Sequence, residues 1–163
     1  MNKSRSIAVF GVLIGVALVL SYVESLLPPL VPIPGIKIGL ANIAVIFVLY
    51  TKGLKHAAVI SIVRVLLAGF LFGSATSMIY ALSGAALSLL AMGTLRKLRF
   101  GICAVSVCGG VMHNVGQILA AMLLSQTNML LMYLAILWFT GMASGAVIGL
   151  AGGSLVKRIG DCL

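Results

Sequence analysis

Long stretches without a charged side chain are the feature of this sequence that most limits its fold. No Asp, Glu, Lys or Arg lies between Arg99 and Lys157, and hydrophobic residues make up 62% of the 163 residues, against 8% that are charged. A soluble domain of this size carries about 25% charged residues. With so few charged residues, the chain is unable to cover a water-facing surface. The sequence therefore predicts a single integral membrane domain over residues 1–163.

Six apolar segments have a length that is compatible, or nearly compatible, with crossing a bilayer. A helix needs about 20 apolar residues to cross about 30 Å of hydrocarbon. The candidate segments are residues 6–27, 36–51, 54–73, 75–95, 100–124 and 129–156, of which the second is short. We therefore expect an all-α membrane protein, a bundle of six transmembrane helices.

Basic residues are concentrated on one side of this expected bundle. Nine of the eleven Lys and Arg residues precede the first segment or follow the second, fourth and sixth. By the positive-inside rule, both termini of this multi-pass protein are predicted to lie on the cytoplasmic side of the cell membrane. Contacts with phospholipid head groups account for the clusters better than a nucleic-acid partner does, so we expect no nucleic acid.

The segment GVMHNVGQIL, residues 110–119, places polar side chains inside an apolar run. His113 and Gln117 are separated by one helical turn, and Asn114 lies on the same broad face. At 1.5 Å per residue, Arg64 lies about 15 Å into the third segment and His113 about 20 Å into the fifth, so the two reach similar depths. Ionisable groups inside a span are costly and are functional candidates for that reason.

Two interpretations of these residues remain open. In the first, Arg64 and the polar side chains of residues 110–119 form a pocket for a small anionic or strongly hydrogen-bonding ligand. Lys37 and Asn42 would add to this pocket from the outer end of the second segment. In the second, the amides clamp helices together, Arg64 pairs with Glu24, and Lys37 extends to the lipid head groups.

Glycines recur every four residues on two segments, and such faces let helices approach closely. The positions are Gly141, Gly145, Gly149 and Gly153 in the last segment and Gly11 and Gly15 in the first. These faces pack either inside this chain or against a separate membrane subunit. The connection PPLVPIPG, residues 28–35, is stiffened by its prolines and is either a lid over an outward-facing pocket or a rigid spacer.

Four stretches, in chain order, resemble the Gx transporter family, which is also labelled heptaprenyl diphosphate synthase component I. They are PGIKIGLANI, RVLLAGFLFG, YALSGAALSLL and HNVGQ. This family is similar to the S components of energy-coupling factor transporters, which bind substrate with six helices and have both termini inside. The resemblance covers nearly the whole chain. It implies a binding role for Lys37, Asn42, Arg64, His113, Asn114 and Gln117. It also implies docking on a transmembrane coupling subunit, served by ATPases, through Gly11 and Gly15.

The sequence lacks the residues that two enzymatic activities need. Prenyl diphosphate synthesis uses clustered aspartates to hold Mg²⁺, whereas Glu24 and Asp161 are the only carboxylates and are expected near opposite membrane faces. No GxxxxGK motif followed by Ser or Thr is present, so ATP hydrolysis would belong to a partner. We expect no enzyme, cofactor or metal site. The sequence favours a subunit that captures a small anionic or vitamin-like ligand from outside. The alternative is a non-transporting anchor for an isoprenoid, quinone or flavin-linked redox complex.

Overall fold

The computed structural model describes residues 3–27 and 39–160. Its helices are α1 (Lys3–Leu26), α2 (Asn42–Thr51), α3 (Leu54–Phe72), α4 (Ala75–Lys97), α5 (Ile102–Ser125) and α6 (Leu134–Ile159), with a 3₁₀ turn at Met129–Tyr133 before α6. The described ranges contain no β-strand. The predicted all-helical class is therefore confirmed.

Five of the described helices are long and apolar enough to cross a membrane, namely α1, α3, α4, α5 and α6 with its preceding turn. Within the predicted second span, residues 36–51, the described helix has 10 residues, Asn42–Thr51. That helix is about 15 Å long, roughly half the hydrocarbon thickness. The chain is a multi-pass membrane protein. The count of six crossings and the cytoplasmic location of both termini stay predictions.

The short helix α2 lies at the centre of the bundle instead of facing lipid. Ala44 through Leu49 are all buried, and α2 packs on α6 and α3. Backbone polar groups at membrane depth must be shielded from lipid, and the longer neighbours supply that shield. The N-terminal residue of α2, Asn42, lies beside α3, where its Oδ1 accepts a hydrogen bond from Arg64. The proline-rich connection, with its lid and spacer interpretations, lies outside the described residues.

Glycines allow α5 to lie directly against both of its neighbours. Because lipid tails are as apolar as side chains, helix association in a membrane depends on close packing. A Cβ atom added at Gly116 of α5 would lie 2.6 Å from the carbonyl oxygen of Ser83 in α4. One added at Gly145 of α6 would lie 2.7 Å from the carbonyl oxygen of Ser106 in α5. These contacts fix the helix that carries His113.

The two predicted glycine faces have different surroundings. On α6, three of the four glycines are buried against the backbone of α5, namely Gly141, Gly145 and Gly149. Gly153 makes only ordinary contact with a side chain of α5 at 3.7 Å. On α1, Gly11 and Gly15 are exposed, and a Cβ at either position would meet no atom within 4 Å. The α6 face therefore packs mainly inside this chain, and the α1 face is open in the described part of the molecule.

Replacing Gly145 by Ala should destabilise the protein, because the added Cβ would press on backbone atoms that are unable to move aside. Overpacking of this kind costs about 1–3 kcal/mol. Gly153→Ala on the same helix is the matched control and should change stability little. Thermal unfolding in detergent, followed by circular dichroism, measures both. Equal unfolding temperatures for the two variants would contradict the close α5–α6 contact.

Candidate ligand-binding site

A cavity of about 350 Å³ lies among the helices and is lined by residues of all six. This volume is at the lower end of the range of about 300–1,000 Å³ found for small-molecule sites. The polar side chains that line it are Ser21, Glu24, Asn42, Arg64, Ser74, Thr76, Ser77, Tyr80, His113, Asn114, Gln117 and Ser144. Apolar side chains such as Val65, Phe72 and Ile148 complete the wall. A largely apolar wall with a few convergent polar groups is typical of a small-molecule site.

The guanidinium of Arg64 is only partly satisfied by the surrounding protein. Its Nη1 donates to the hydroxyl oxygen of Ser21 at 3.4 Å, and its Nη2 donates to Oδ1 of Asn42 at 3.3 Å. Both bonds are longer than the usual N–H···O range, which ends at about 3.2 Å. Its Nε is buried and has no hydrogen-bond partner among the described residues. Since a guanidinium carries five N–H donors, Arg64 retains donors for another acceptor.

The two partners of Arg64 belong to different helices. Ser21 lies on α1 and donates its own hydroxyl to the carbonyl oxygen of Ala17 at 3.0 Å, which leaves the oxygen free to accept from Arg64. Asn42 is the first residue of α2. The orientation of the guanidinium therefore depends on how α1 and α2 are placed relative to α3.

Glu24 brings a carboxylate to the same cavity. Its side chain is buried, accepts a hydrogen bond from the backbone N–H of Gly39, and interacts electrostatically with Arg64. Gly39 has a φ of +78°, a conformation that glycine adopts without steric cost. The hypothesis that Arg64 pairs with Glu24 is met in part. The two charges interact, while the guanidinium donates to Ser21 and Asn42.

His113 and Gln117 both line the cavity beside Gly84, because this glycine of α4 leaves room for both. A Cβ at Gly84 would lie 3.0 Å from Cε1 of His113 and 2.9 Å from Cγ of Gln117. The imidazole also interacts with the backbone of Gly84 and with the charge of Arg64. Arg64 and His113, from separate helices, thus line one common cavity.

Asn114 ties α5 to α6. Its Nδ2 donates to the carbonyl oxygen of Leu137 at 2.8 Å, with a longer contact of 3.5 Å to Oγ1 of Thr140. The geometry agrees with the interhelical clamp proposed for this residue from the sequence. Asn114 nevertheless lines the cavity, where its carbonyl oxygen remains a potential ligand contact.

Five of the six residues predicted to bind ligand line this one cavity: Asn42, Arg64, His113, Asn114 and Gln117. Lys37 lies outside the described residues. That these side chains bind a ligand stays a prediction. Sequence reasoning did not identify Ser21 and Ser144 as lining residues. Ser21 precedes Glu24 by three residues, and this helical spacing would have placed both on one face. For Ser144, within a glycine-rich run, no comparable signal exists.

The cavity lies entirely within the part of the chain that matches a known family model. That model is heptaprenyl diphosphate synthase component I, and it matches residues 13–155. The chain belongs to this family. Comparison with curated proteins and with solved structures finds no match.

The described residues supply recognition groups rather than a metal-ligand cluster. Within residues 3–27 and 39–160, no group of three or more His, Cys, Asp or Glu side chains is arranged to hold a metal ion. The cavity instead offers a guanidinium, a carboxylate, an imidazole, amides and hydroxyls. Such groups can bind an anion, or a molecule with several hydrogen-bonding atoms, in a defined orientation.

Replacing Asn114 by Ala should lower the stability of the helix bundle by about 1 kcal/mol, because it removes an interhelical hydrogen bond inside the membrane. Ser144→Ala is the control. That hydroxyl lines the same cavity but donates within its own helix, to Gly141 at 3.3 Å. Thermal unfolding in detergent compares the two. A larger loss for Ser144→Ala than for Asn114→Ala would rule out the clamp.

Proposed function

We propose that this protein is the substrate-binding transmembrane subunit of an energy-coupling-factor-type transporter in the cell membrane. It captures a small anionic or vitamin-like ligand from outside and releases it inward with the help of a partner. Arg64 supplies positive charge. Directional hydrogen bonds come from Asn42, His113, Asn114 and Gln117.

The observation that carries this proposal is the Arg64 guanidinium at the wall of the cavity, with a buried Nε that has no partner among the described residues. An arginine inside a span costs roughly 2.5–3.5 kcal/mol on insertion scales. Glu24 opposes this charge from the same cavity, and an acceptor atom of a bound ligand would add hydrogen bonds to the guanidinium. The convergence of side chains from all six helices on one cavity supports the same function.

We assign catalysis and ATP hydrolysis to other proteins. The whole sequence contains two carboxylates, Glu24 and Asp161. Diphosphate chemistry with Mg²⁺ relies on several hard oxygen ligands close together. We therefore expect that this chain is not the catalytic subunit of a prenyltransferase, and that ATPases attached to a partner drive transport.

The open face of α1 is the proposed docking surface for that partner. Gly11 and Gly15 leave space along this face, and small residues let another transmembrane helix approach closely. The glycine face of α6 is already covered by α5, so it is not the surface that we assign to docking.

Arg64→Ala should reduce the amount of small molecule that the purified protein retains by about 10- to 100-fold, because a hydrogen bond to a charged group contributes about 1.5–3 kcal/mol. Gln117→Ala should reduce it by about 3- to 10-fold, as expected for a neutral hydrogen bond. Native mass spectrometry of the protein in detergent measures retention, and circular dichroism checks that both variants fold.

Arg158→Ala is the matched control, since this arginine is exposed at the end of α6. It should retain as much small molecule as the unmodified protein. Retention that is unchanged in both Arg64→Ala and Gln117→Ala would remove this cavity as the binding site.

Gly15→Leu should prevent co-purification of a transmembrane partner without changing retention of the small molecule, because the new side chain fills the open face of α1. Val16→Leu, an exposed neighbour on the same helix, is the control and should keep the partner. Affinity purification from native membranes with quantitative mass spectrometry measures the partner. A partner that remains bound to Gly15→Leu would contradict docking through this face.

The description of the matching family favours a second candidate function. In that case the chain is a membrane partner of an isoprenoid, quinone or flavin-linked redox complex and transports nothing. Co-purification distinguishes the two. A coupling subunit with ATPases supports transport, whereas a prenyl synthase or a flavoprotein, together with an absence of retained small molecule, supports the anchor.

A further inference from the structure

We propose that the ligand is uncharged overall and presents an amide-like edge, a hydrogen-bond donor beside an acceptor, which pairs with the side-chain amide of Gln117. The inference rests on the proposed function and narrows the class of substrate. It assigns a lactam, a ureide or a heterocyclic amide to the cavity, and it excludes the anionic ligands that the proposed function still admits.

The charged side chains of the cavity are already engaged with one another and with neighbouring protein groups. Among the described lining residues, Arg64 is the only Lys or Arg and Glu24 is the only Asp or Glu, so their formal charges cancel. The two interact electrostatically, and Glu24 also accepts a hydrogen bond from a backbone N–H. Arg64 donates to Ser21 and Asn42. A ligand with a net charge would leave that charge uncompensated in a medium of low dielectric constant, which is costly.

The amides that line the cavity retain unpaired polar atoms. Gln117 makes no side-chain hydrogen bond within the described part of the chain. Asn114 uses its Nδ2 to bond to Leu137, while its Oδ1 has no partner among the described residues. In those same residues, Arg64 Nε is the only side-chain polar atom that is both fully buried and unpaired. The unpaired atoms of the two amides are therefore accessible, whereas the Nε of Arg64 is not.

One face of α5 brings these amides to the cavity. Four lining residues share this face, at helical spacings of three, four and seven from the first: Gly110, His113, Asn114 and Gln117. A Cβ added at Gly84 of α4 would lie 2.9 Å from Cγ of Gln117, so the stem of this side chain packs closely against α4. Close packing limits the conformations of the side chain and reduces the entropy that it loses when a ligand binds.

The chemistry of the Gln117 amide determines which ligand edge fits it. A side-chain amide has a carbonyl oxygen that accepts and an NH₂ group that donates, side by side. A ligand edge with an N–H beside a carbonyl oxygen forms two parallel hydrogen bonds with it. A carboxylate has acceptors alone and an ammonium has donors alone, so either would leave one half of the amide unpaired, at a cost in free energy. The Oδ1 of Asn114 accepts a further N–H from the same kind of ligand.

The first experiment determines the charge of the molecule that the full-length protein retains after purification from its native membranes in mild detergent. The retained molecule is extracted, freed of lipid, and passed at pH 7 through an anion exchanger and a cation exchanger. Mass spectrometry in water and in heavy water then gives its elemental composition and its exchangeable hydrogens. We expect one species that passes both exchangers, contains nitrogen and has at least one exchangeable hydrogen.

Nuclear magnetic resonance of the side-chain amides tests the contact itself. The chain has two glutamines: Gln117, which lines the cavity, and Gln126, which is exposed at the C-terminal end of α5. Labelling the glutamine side chains with ¹⁵N therefore gives two NH₂ signals, and Gln117→Met identifies one of them by its loss. Dialysis that removes the retained molecule should shift the Gln117 signal and leave the Gln126 signal unchanged.

Gln117→Met keeps the length of the side chain and removes both of its hydrogen-bonding groups. It should lower retention of the small molecule by about 3- to 10-fold, as expected for the loss of neutral hydrogen bonds. Gln126→Met makes the same exchange outside the cavity and should retain as much as the unmodified protein. Circular dichroism checks that both variants fold.

The outcomes separate this inference from the proposed function. A retained species that binds either exchanger at pH 7, or that contains no nitrogen, would overturn the uncharged amide-like ligand while leaving ligand capture in place. A Gln117 signal that does not respond to removal of the molecule, or unchanged retention by Gln117→Met, would also overturn it. A protein that retains no small molecule at all would overturn both the inference and the proposed function.

Discussion

The presence of an arginine guanidinium inside a membrane-spanning bundle governs the rest of this structure. A charge at this depth is stable only if protein groups replace the water that it has lost. Ser21 from α1 and Asn42 from α2 provide two hydrogen bonds, and Glu24 provides an opposite charge nearby. Each of these groups lies on a different helix from Arg64, so the arginine links three elements. The residues that stabilise the charge also form one wall of the cavity.

Close packing elsewhere in the bundle positions α5, the helix that carries His113 and Gln117 into the cavity lining. Helices in lipid gain little from the hydrophobic effect, and they associate by close van der Waals contact at small residues. Gly116 and Gly145 bring α5 into backbone contact with α4 and α6. Gly84 has a second role, because the space that it leaves is occupied by the side chains of His113 and Gln117. Gly84 also lies against Gly116, so this one glycine serves both the α4–α5 contact and the placement of the two polar side chains.

The short helix α2 packs on α3 and α6. It fills the centre of the bundle with apolar side chains, and its first residue, Asn42, reaches Arg64. If the second helix were longer, it would continue past Asn42. Its backbone would then have no break at which a polar residue could enter the cavity. Irregular backbone at membrane depth is tolerated where protein surrounds it or where it lines a cavity. The start of α2 satisfies both conditions, and this arrangement underlies the recognition function that we propose for this family member.

Composition and spacing were enough to predict a helical membrane protein and to identify five of the residues that line the cavity. The long uncharged runs require helices, because only internal hydrogen bonding satisfies the backbone in lipid. The depth of Arg64 and His113 along their segments follows from the rise per residue. By contrast, the tertiary structure decided which helices adjoin, that Asn114 bonds to α6, and that the α1 glycines face outward while those of α6 face α5. Helical periodicity places residues on a face but contains no information about which neighbour that face meets. Contacts between helices depend on how residues that are distant in the sequence pack against one another.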